Sequence, residues 1–163
     1  MPRDGELAEQ FAGIEQLMLR VSWVEQRRFA QQLSEFGLTV PQFFVLRSIR
    51  RRERNPTMST LADETLQRCA TMTGIVGRLV KMGLARRQRD KNDRRRVLVE
   101  LTSQGRALVD EVHRFRAHRL GDILSQLSPE DGRELLRLLR LYLEAFAGSD
   151  EADALSEPRV AME

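Results

Sequence analysis

The residues best equipped for chemistry in this chain are cationic, and they are clustered. Between Lys81 and Arg96 stand Lys81, Arg86, Arg87, Arg89, Lys91, Arg94, Arg95 and Arg96, opposed only by Asp90 and Asp93. The whole chain of 163 residues has a formal net charge of only +3. A dense basic patch on a nearly neutral chain points to a specific polyanion surface, not to a general basic coat. A charge run is often no more than a solvated face. This one is almost one-signed and directly follows a helix that can present side chains to base edges, so contact with nucleic acid is the favoured reading.

Other chemistries find less support. No nucleophile–base set, Gly-rich phosphate loop or pair of catalytic carboxylates stands out, so an enzyme is not expected, and no cofactor is called for. His113 and His118 are five apart and do not share a helix face as a metal pair would, so no metal site is expected. Cys69 is the single cysteine. That excludes an intrachain disulfide and fits a reducing compartment. It lies at a helix start beside Arg68, where a thiol can be reactive; inert packing is the plainer reading. The first residues, MPRDGELAEQ, lack the apolar core of a signal peptide, and no later run reaches membrane-spanning length. The expectation is a cytoplasmic protein that does not engage a membrane.

The elements that position the basic patch follow from pattern. LADETLQRCATMTGIVGRLVKMGL reads as two helices meeting at a turn at Leu66-Gln67. In the second, from about Arg68 to Met82, Met72, Ile75, Val76 and Leu79 form the buried stripe. The opposite face carries Arg68, Ala70, Thr71, Thr73, Gly74, Gly77 and Arg78. Residues 85–89 and 97–101 alternate as strands, with Val97, Val99 and Leu101 on one side and the polar turn DKNDRRR between them. Helix, turn, helix and basic hairpin make the plan of a winged helix-turn-helix. Arg68 is suited to a bidentate bond to guanine or to a phosphate. Thr71 and Thr73 are suited to a base, a phosphate or a thymine methyl. Arg94 and Arg95 at the wing tip suit a narrow minor groove. Arg86, Arg87 and Arg89 would line the flank and meet phosphates.

The rest of the chain supports this head. From Glu6 to about Phe36, Leu7, Phe11, Ile14, Met18 and Val21 step by four and three along one helix. Their stripe faces either the chain's own core or a partner subunit. Gly37 ends this helix; Thr39 caps the next, with Pro41 in its first turn. The arginines Arg47, Arg50, Arg51, Arg52 and Arg54 gather at that helix's end, where they serve either its dipole or phosphate. Asn55-Pro56 breaks it, and Ser59 is expected to cap the short helix TLADET. Thr102 caps a long helix lined by Leu108, Val109, Val112, Phe115, Leu120, Ile123, Leu124 and Leu127. Ser128-Pro129-Glu130-Asp131 starts the last helix, which runs to about Ala147 and is apolar nearly all round. One chain with a separate head can hardly cover that surface, so the first helix and the last two are inferred to build a subunit interface. The fold class is thus mainly α with a small β-hairpin wing. Residues 1–163 form one domain: dimerisation helices at 6–36 and 102–147, the winged helix-turn-helix at 38–101, and a mobile acidic tail at 148–163.

Gly37-Leu38-Thr39 before PQFFVLRSI, then LADE, RLVKMGLARRQRD and DRRRVLVELTSQG, resemble the MarR family of bacterial transcription regulators, the multiple-antibiotic-resistance type. The resemblance covers roughly residues 7–147. It implies an obligate homodimer with intertwined terminal helices, binding a pseudo-palindromic DNA operator, usually as a repressor released by a small molecule or an oxidant. It implies that Asp93 orients the wing arginine, and that Arg78 lies near the DNA backbone or is structural. It also implies a cleft for an aromatic or lipophilic effector; Trp23, Phe29, Phe43, Phe44 and Phe115 are candidates to line it, with Arg47 and His113 as anion partners, although such aromatics are commonly just core. The sequence departs from the family at Leu66, where the turn usually has Gly, and at Cys69, Ala70 and Gly74, where recognition positions are often polar. Two alternatives differ in class: a redox-sensing regulator acting through Cys69, and a winged-helix protein-interaction module that does not read DNA.

Overall fold

The computed structural model describes residues 4–90, 93 and 95–155. Eight elements follow in order: α1 (Asp4–Glu35), α2 (Val40–Arg50), α3 (Met58–Glu64), α4 (Cys69–Lys81), β1 (Ala85–Arg89), β2 (Val97–Leu101), α5 (Ser103–Leu124) and α6 (Pro129–Leu155). They fall into two compact units, Met1–Arg114 and Phe115–Glu163, with the boundary inside α5.

One local device sets three of the corners in the first unit. At the end of α1, Leu38 N–H bonds the Leu33 carbonyl (2.9 Å) and Gly37 N–H bonds that of Ser34 (3.0 Å). At the end of α4, Leu84 and Gly83 repeat the pair on Leu79 and Val80, both at 3.0 Å. At the end of α3, Gln67 and Leu66 repeat it on Ala62 (2.9 Å) and Asp63 (3.2 Å). This is the Schellman pattern, which needs a left-handed residue after the helix. Gly37 (φ 68°) and Gly83 (φ 74°) supply it without a Cβ penalty; Leu66 (φ 53°) supplies it as a leucine. The side chain of Leu66 is left 93% exposed.

The helix starts are equally local. Thr39 N–H donates to Gln42 Oε1 (2.8 Å) ahead of α2, and Pro41 lies in the first turn. The cap of α3 is Thr57, whose Oγ1 accepts from Thr60 N–H at 3.2 Å. The expected cap, Ser59, is inside the helix, because Thr57 holds the extended backbone (φ −82°, ψ 169°) that a cap requires.

The core of this unit is built by α2, α3, α4 and the hairpin, joined by the end of α1 and the start of α5. Leu33, Phe43, Val45, Leu46, Leu61, Met72, Val76, Leu79, Val99 and Val109 are fully buried within it. The hairpin is antiparallel, pairing Ala85 with Leu101, Arg87 with Val99 and Arg89 with Val97. A third stretch joins its edge, through the bridge Thr57–Leu98 and the bond from Val99 N–H to the Pro56 carbonyl (2.9 Å). Where α5 begins, Thr102 Oγ1 donates to the Gly83 carbonyl (2.7 Å) and accepts from Gly105 N–H (3.0 Å), while Thr102 N–H bonds the Leu84 carbonyl (3.1 Å). The helix start is thereby stitched to the end of α4.

In the second unit, Ser128 caps α6 by accepting from Asp131 N–H (3.1 Å), with Pro129 as the first helical residue. From Leu120 to Leu143, the large apolar residues of this unit with open surface are 39–55% exposed. In the first unit, Phe11, Ile14, Leu17, Leu19 and Val21 of α1 are open as well. No helix among the described residues is long and apolar enough to cross a membrane. The helix α6 continues to Leu155, beyond its expected end near Ala147. The segment SDEADAL after Gly148 contains good helix formers and no proline, so a single Gly does not stop it. Of the acidic stretch 148–163, the part after Leu155 lies outside the described residues.

Candidate nucleic-acid interface

The helix α4 has two faces with different duties. Met72, Val76 and Leu79 are buried and fix it to the core. Arg68, Cys69, Ala70, Thr71, Thr73, Gly74 and Arg78 are exposed on the other side. Arg68 is the N-cap residue, with extended backbone (φ −73°, ψ 144°) and no capping bond from its side chain. Its side chain is exposed at a helix start whose N–H groups and dipole also favour an anion. The hydroxyl of Thr73 donates back to the Cys69 carbonyl (3.3 Å), leaving its methyl and oxygen lone pairs for an outside partner. Thr71 is exposed beside it.

The wing arginines divide by strand parity. Arg86 stands opposite Glu100 and forms an ion pair with it. Asn55 Nδ2 donates to the other oxygen of that carboxylate (3.4 Å). Arg87 turns to the opposite side, and its Nη2 donates to the Thr73 carbonyl on α4 (3.3 Å). Arg89 and Arg95 are exposed. Asp93 Oδ1 accepts from the backbone N–H of Arg95 (3.0 Å), and Arg96 N–H bonds the Asp93 carbonyl (2.9 Å). Asp93 thus shapes the turn through main-chain bonds. Arg94, expected at the wing tip, lies outside the described residues. The sequence reading missed Glu100 as the partner of Arg86, and Asn55 as a second donor to Glu100. The cross-strand register is the signal that exposes the first of them.

The candidate effector residues are only partly gathered. Phe43 packs edge-on against Phe29 (5.4 Å between ring centres) and lies 5.7 Å from the His113 ring. Phe44 lies 6.1 Å from Phe29, and the Arg47 guanidinium sits over its ring at 5.0 Å. Trp23 is apart from this cluster, 61% exposed on α1 with Arg27 over its ring (5.4 Å). Phe115 belongs to the second unit. His118 pairs with Asp122 (3.2 Å). Among the described residues, no group of three or more His, Cys, Asp or Glu could hold a metal ion.

A groove-sized helix with an exposed polar face, a basic hairpin beside it and a core behind both define a winged helix-turn-helix that reads DNA. Residues 38–97 match the model of the MarR family. The regulator PecS of Dickeya dadantii is 31% identical over 122 residues, which span 74% of each chain. A MarR family protein from Bacillus stearothermophilus superposes with a TM-score of 0.78 at 26% identity, over 86% of this chain and 98% of that one. A mutant of S. aureus MepR, solved bound to an oligodeoxyribonucleotide, shares the fold (TM-score 0.65, 22% identity, 81% and 96% covered). The chain belongs to the MarR family: it is a DNA-binding transcriptional regulator, and not an enzyme.

Proposed function

We propose that the chain acts as a homodimer that places two copies of α4 in successive major grooves of a pseudo-palindromic operator, as a cytoplasmic repressor. The observation that carries this reading is the exposed face of α4, with Arg68, Ala70, Thr71, Thr73 and Arg78 on it and the basic wing alongside. Two-fold symmetry then sets the two helices about 34–36 Å apart. The open apolar faces of α1 and α6 supply the surface that a second copy would cover. Arg68 and Thr71 read base edges; Arg89, Arg94 and Arg95 contact the backbone or the minor groove. Repression is relieved by an aromatic or lipophilic anion whose ring meets Phe44, the partly exposed member of the Phe29–Phe43–Phe44 cluster, and whose charge meets Arg47 or His113.

Two measurements test this. Sedimentation equilibrium of the purified protein is expected to give a dimer. A gel-shift titration with duplexes selected from a random pool is expected to enrich an inverted repeat, and Arg68→Ala to lose that preference. A monomer, or enrichment of no repeat, overturns the reading. A second reading rests on Cys69, exposed as the first residue of α4. Its oxidation would put new bulk and charge at the groove. Peroxide treatment that leaves DNA binding unchanged ends that idea.

A further inference from the structure

We propose that Arg87 is a positioning residue: it clasps the wing to the reading helix instead of meeting a phosphate. Successive side chains of a strand point to opposite faces. In β1 the register places Ala85 opposite Leu101 and Arg87 opposite Val99. Ala85, Val99 and Leu101 are all buried. Arg87 therefore shares the inner face of the hairpin, the face turned to α4, whereas Arg86 shares the outer face with Glu100. Arg87 itself remains exposed, and its guanidinium still has a protein acceptor close by. Arg87 Nη2 finds one in the Thr73 carbonyl at 3.3 Å. A helix carbonyl has two lone pairs and its intrahelical bond uses one, so it can accept this second donor.

The room for the contact comes from α4 itself. Gly77 is one turn beyond Thr73, and a Cβ built on it would lie 3.8 Å from Arg87 Nη2. A longer side chain at 77 would occupy the path of the guanidinium. Thr73 belongs to the exposed face of α4, so the clasp joins the strand that leads to the wing tip directly to the reading surface. The spacing between helix and wing is then held by a charged hydrogen bond, and both elements engage one duplex in register. Specific binding needs that register. Non-specific binding needs only the positive charge.

The inference rests on the placement of α4 in the groove, and the two can fail separately. Wild-type protein is first used to select a duplex from a random pool. Affinities for this duplex and for a scrambled one are then measured between about 50 and 200 mM salt. Arg87→Ala is expected to weaken the selected duplex about ten-fold. It should leave the scrambled duplex within about two-fold and the salt slope unchanged. Gly77→Leu keeps the cation but fills its path, and is expected to reproduce the same split. Melting curves of both variants check that the fold is intact. A slope reduced by about 0.9 with Arg87→Ala on both duplexes makes Arg87 a phosphate contact and overturns the proposal. So does a selected-duplex affinity that neither variant changes. If instead Arg68→Ala and Thr71→Ala leave the selected duplex bound as before, it is the groove placement that fails.

Discussion

Substituting Gly105 by alanine tests how the stem helix is joined to the head. Gly105 lies in the first turn of α5 and is buried. A Cβ built on it would stand 2.0 Å from the Leu84 carbonyl oxygen and 3.0 Å from its carbon. Ordinary contact needs more than 3 Å, so main chain must move by about 1 Å. Neither side is free to move, because the Leu84 carbonyl accepts from Thr102 N–H and Thr102 Oγ1 holds Gly83 and Gly105 together. Overpacking of this kind costs about 1–3 kcal/mol, and each strained or broken hydrogen bond adds about 1 kcal/mol. A destabilisation of about 3 kcal/mol is expected, which lowers the melting temperature of a chain this size by about 6–12 °C. Intrinsic helix propensity predicts the opposite sign, since Ala exceeds Gly by up to about 1 kcal/mol in a helix interior. Gly74, where an added Cβ meets nothing within 4 Å, is the internal control: Gly74→Ala should melt slightly higher than wild type. Circular-dichroism melts at one fixed protein concentration decide the matter, because association would otherwise shift the midpoint. A Gly105→Ala variant that melts at or above wild type refutes the reasoning.

Three other substitutions have clear expected outcomes. Arg95→Ala should weaken binding to every duplex and reduce the salt slope by about 0.9, read from affinity against salt concentration. Phe43→Ala removes a fully buried ring and should cost about 3–5 kcal/mol in urea unfolding. Leu66→Gly relieves a left-handed backbone worth about 1–2 kcal/mol, less the 0.4–1 kcal/mol, roughly, that glycine adds to the freedom of the unfolded chain. The net gain of about 0.5–1 kcal/mol should raise the melting temperature by about 1–4 °C.

The sequence was legible wherever structure follows from period or from neighbours. The stripe Met72, Val76, Leu79 placed α4 and its exposed face, and alternation at Val97, Val99 and Leu101 placed the wing. Gly37 and Gly83 announced their corners. The choice between Thr57 and Ser59 as the cap of α3 was not legible, because both are good caps and only backbone dihedrals separate them. The partners of Arg86 and Arg87 were hidden for another reason. A run of arginines reads as uniform charge, yet strand parity sends one to Glu100 and the next to a main-chain carbonyl on another element. The motif LTSQG was recognisable before its cause was visible. Thr102 is a double-ended tie, and Gly105 is the residue small enough to lie on Leu84.

The joints around the hairpin also govern what the head can tolerate in its target. Pro56 and Thr57 bind it on one edge, and Arg87 binds it to α4. Two joints thus tie the hairpin to the rest of the head, one along its edge and one to the reading helix. An inserted base pair at the centre of a two-half site displaces the far half by about 3.4 Å and rotates it about the duplex axis. On the proposal that these joints hold wing and reading helix at a fixed spacing, a site with that error is bound more weakly than a correctly spaced one.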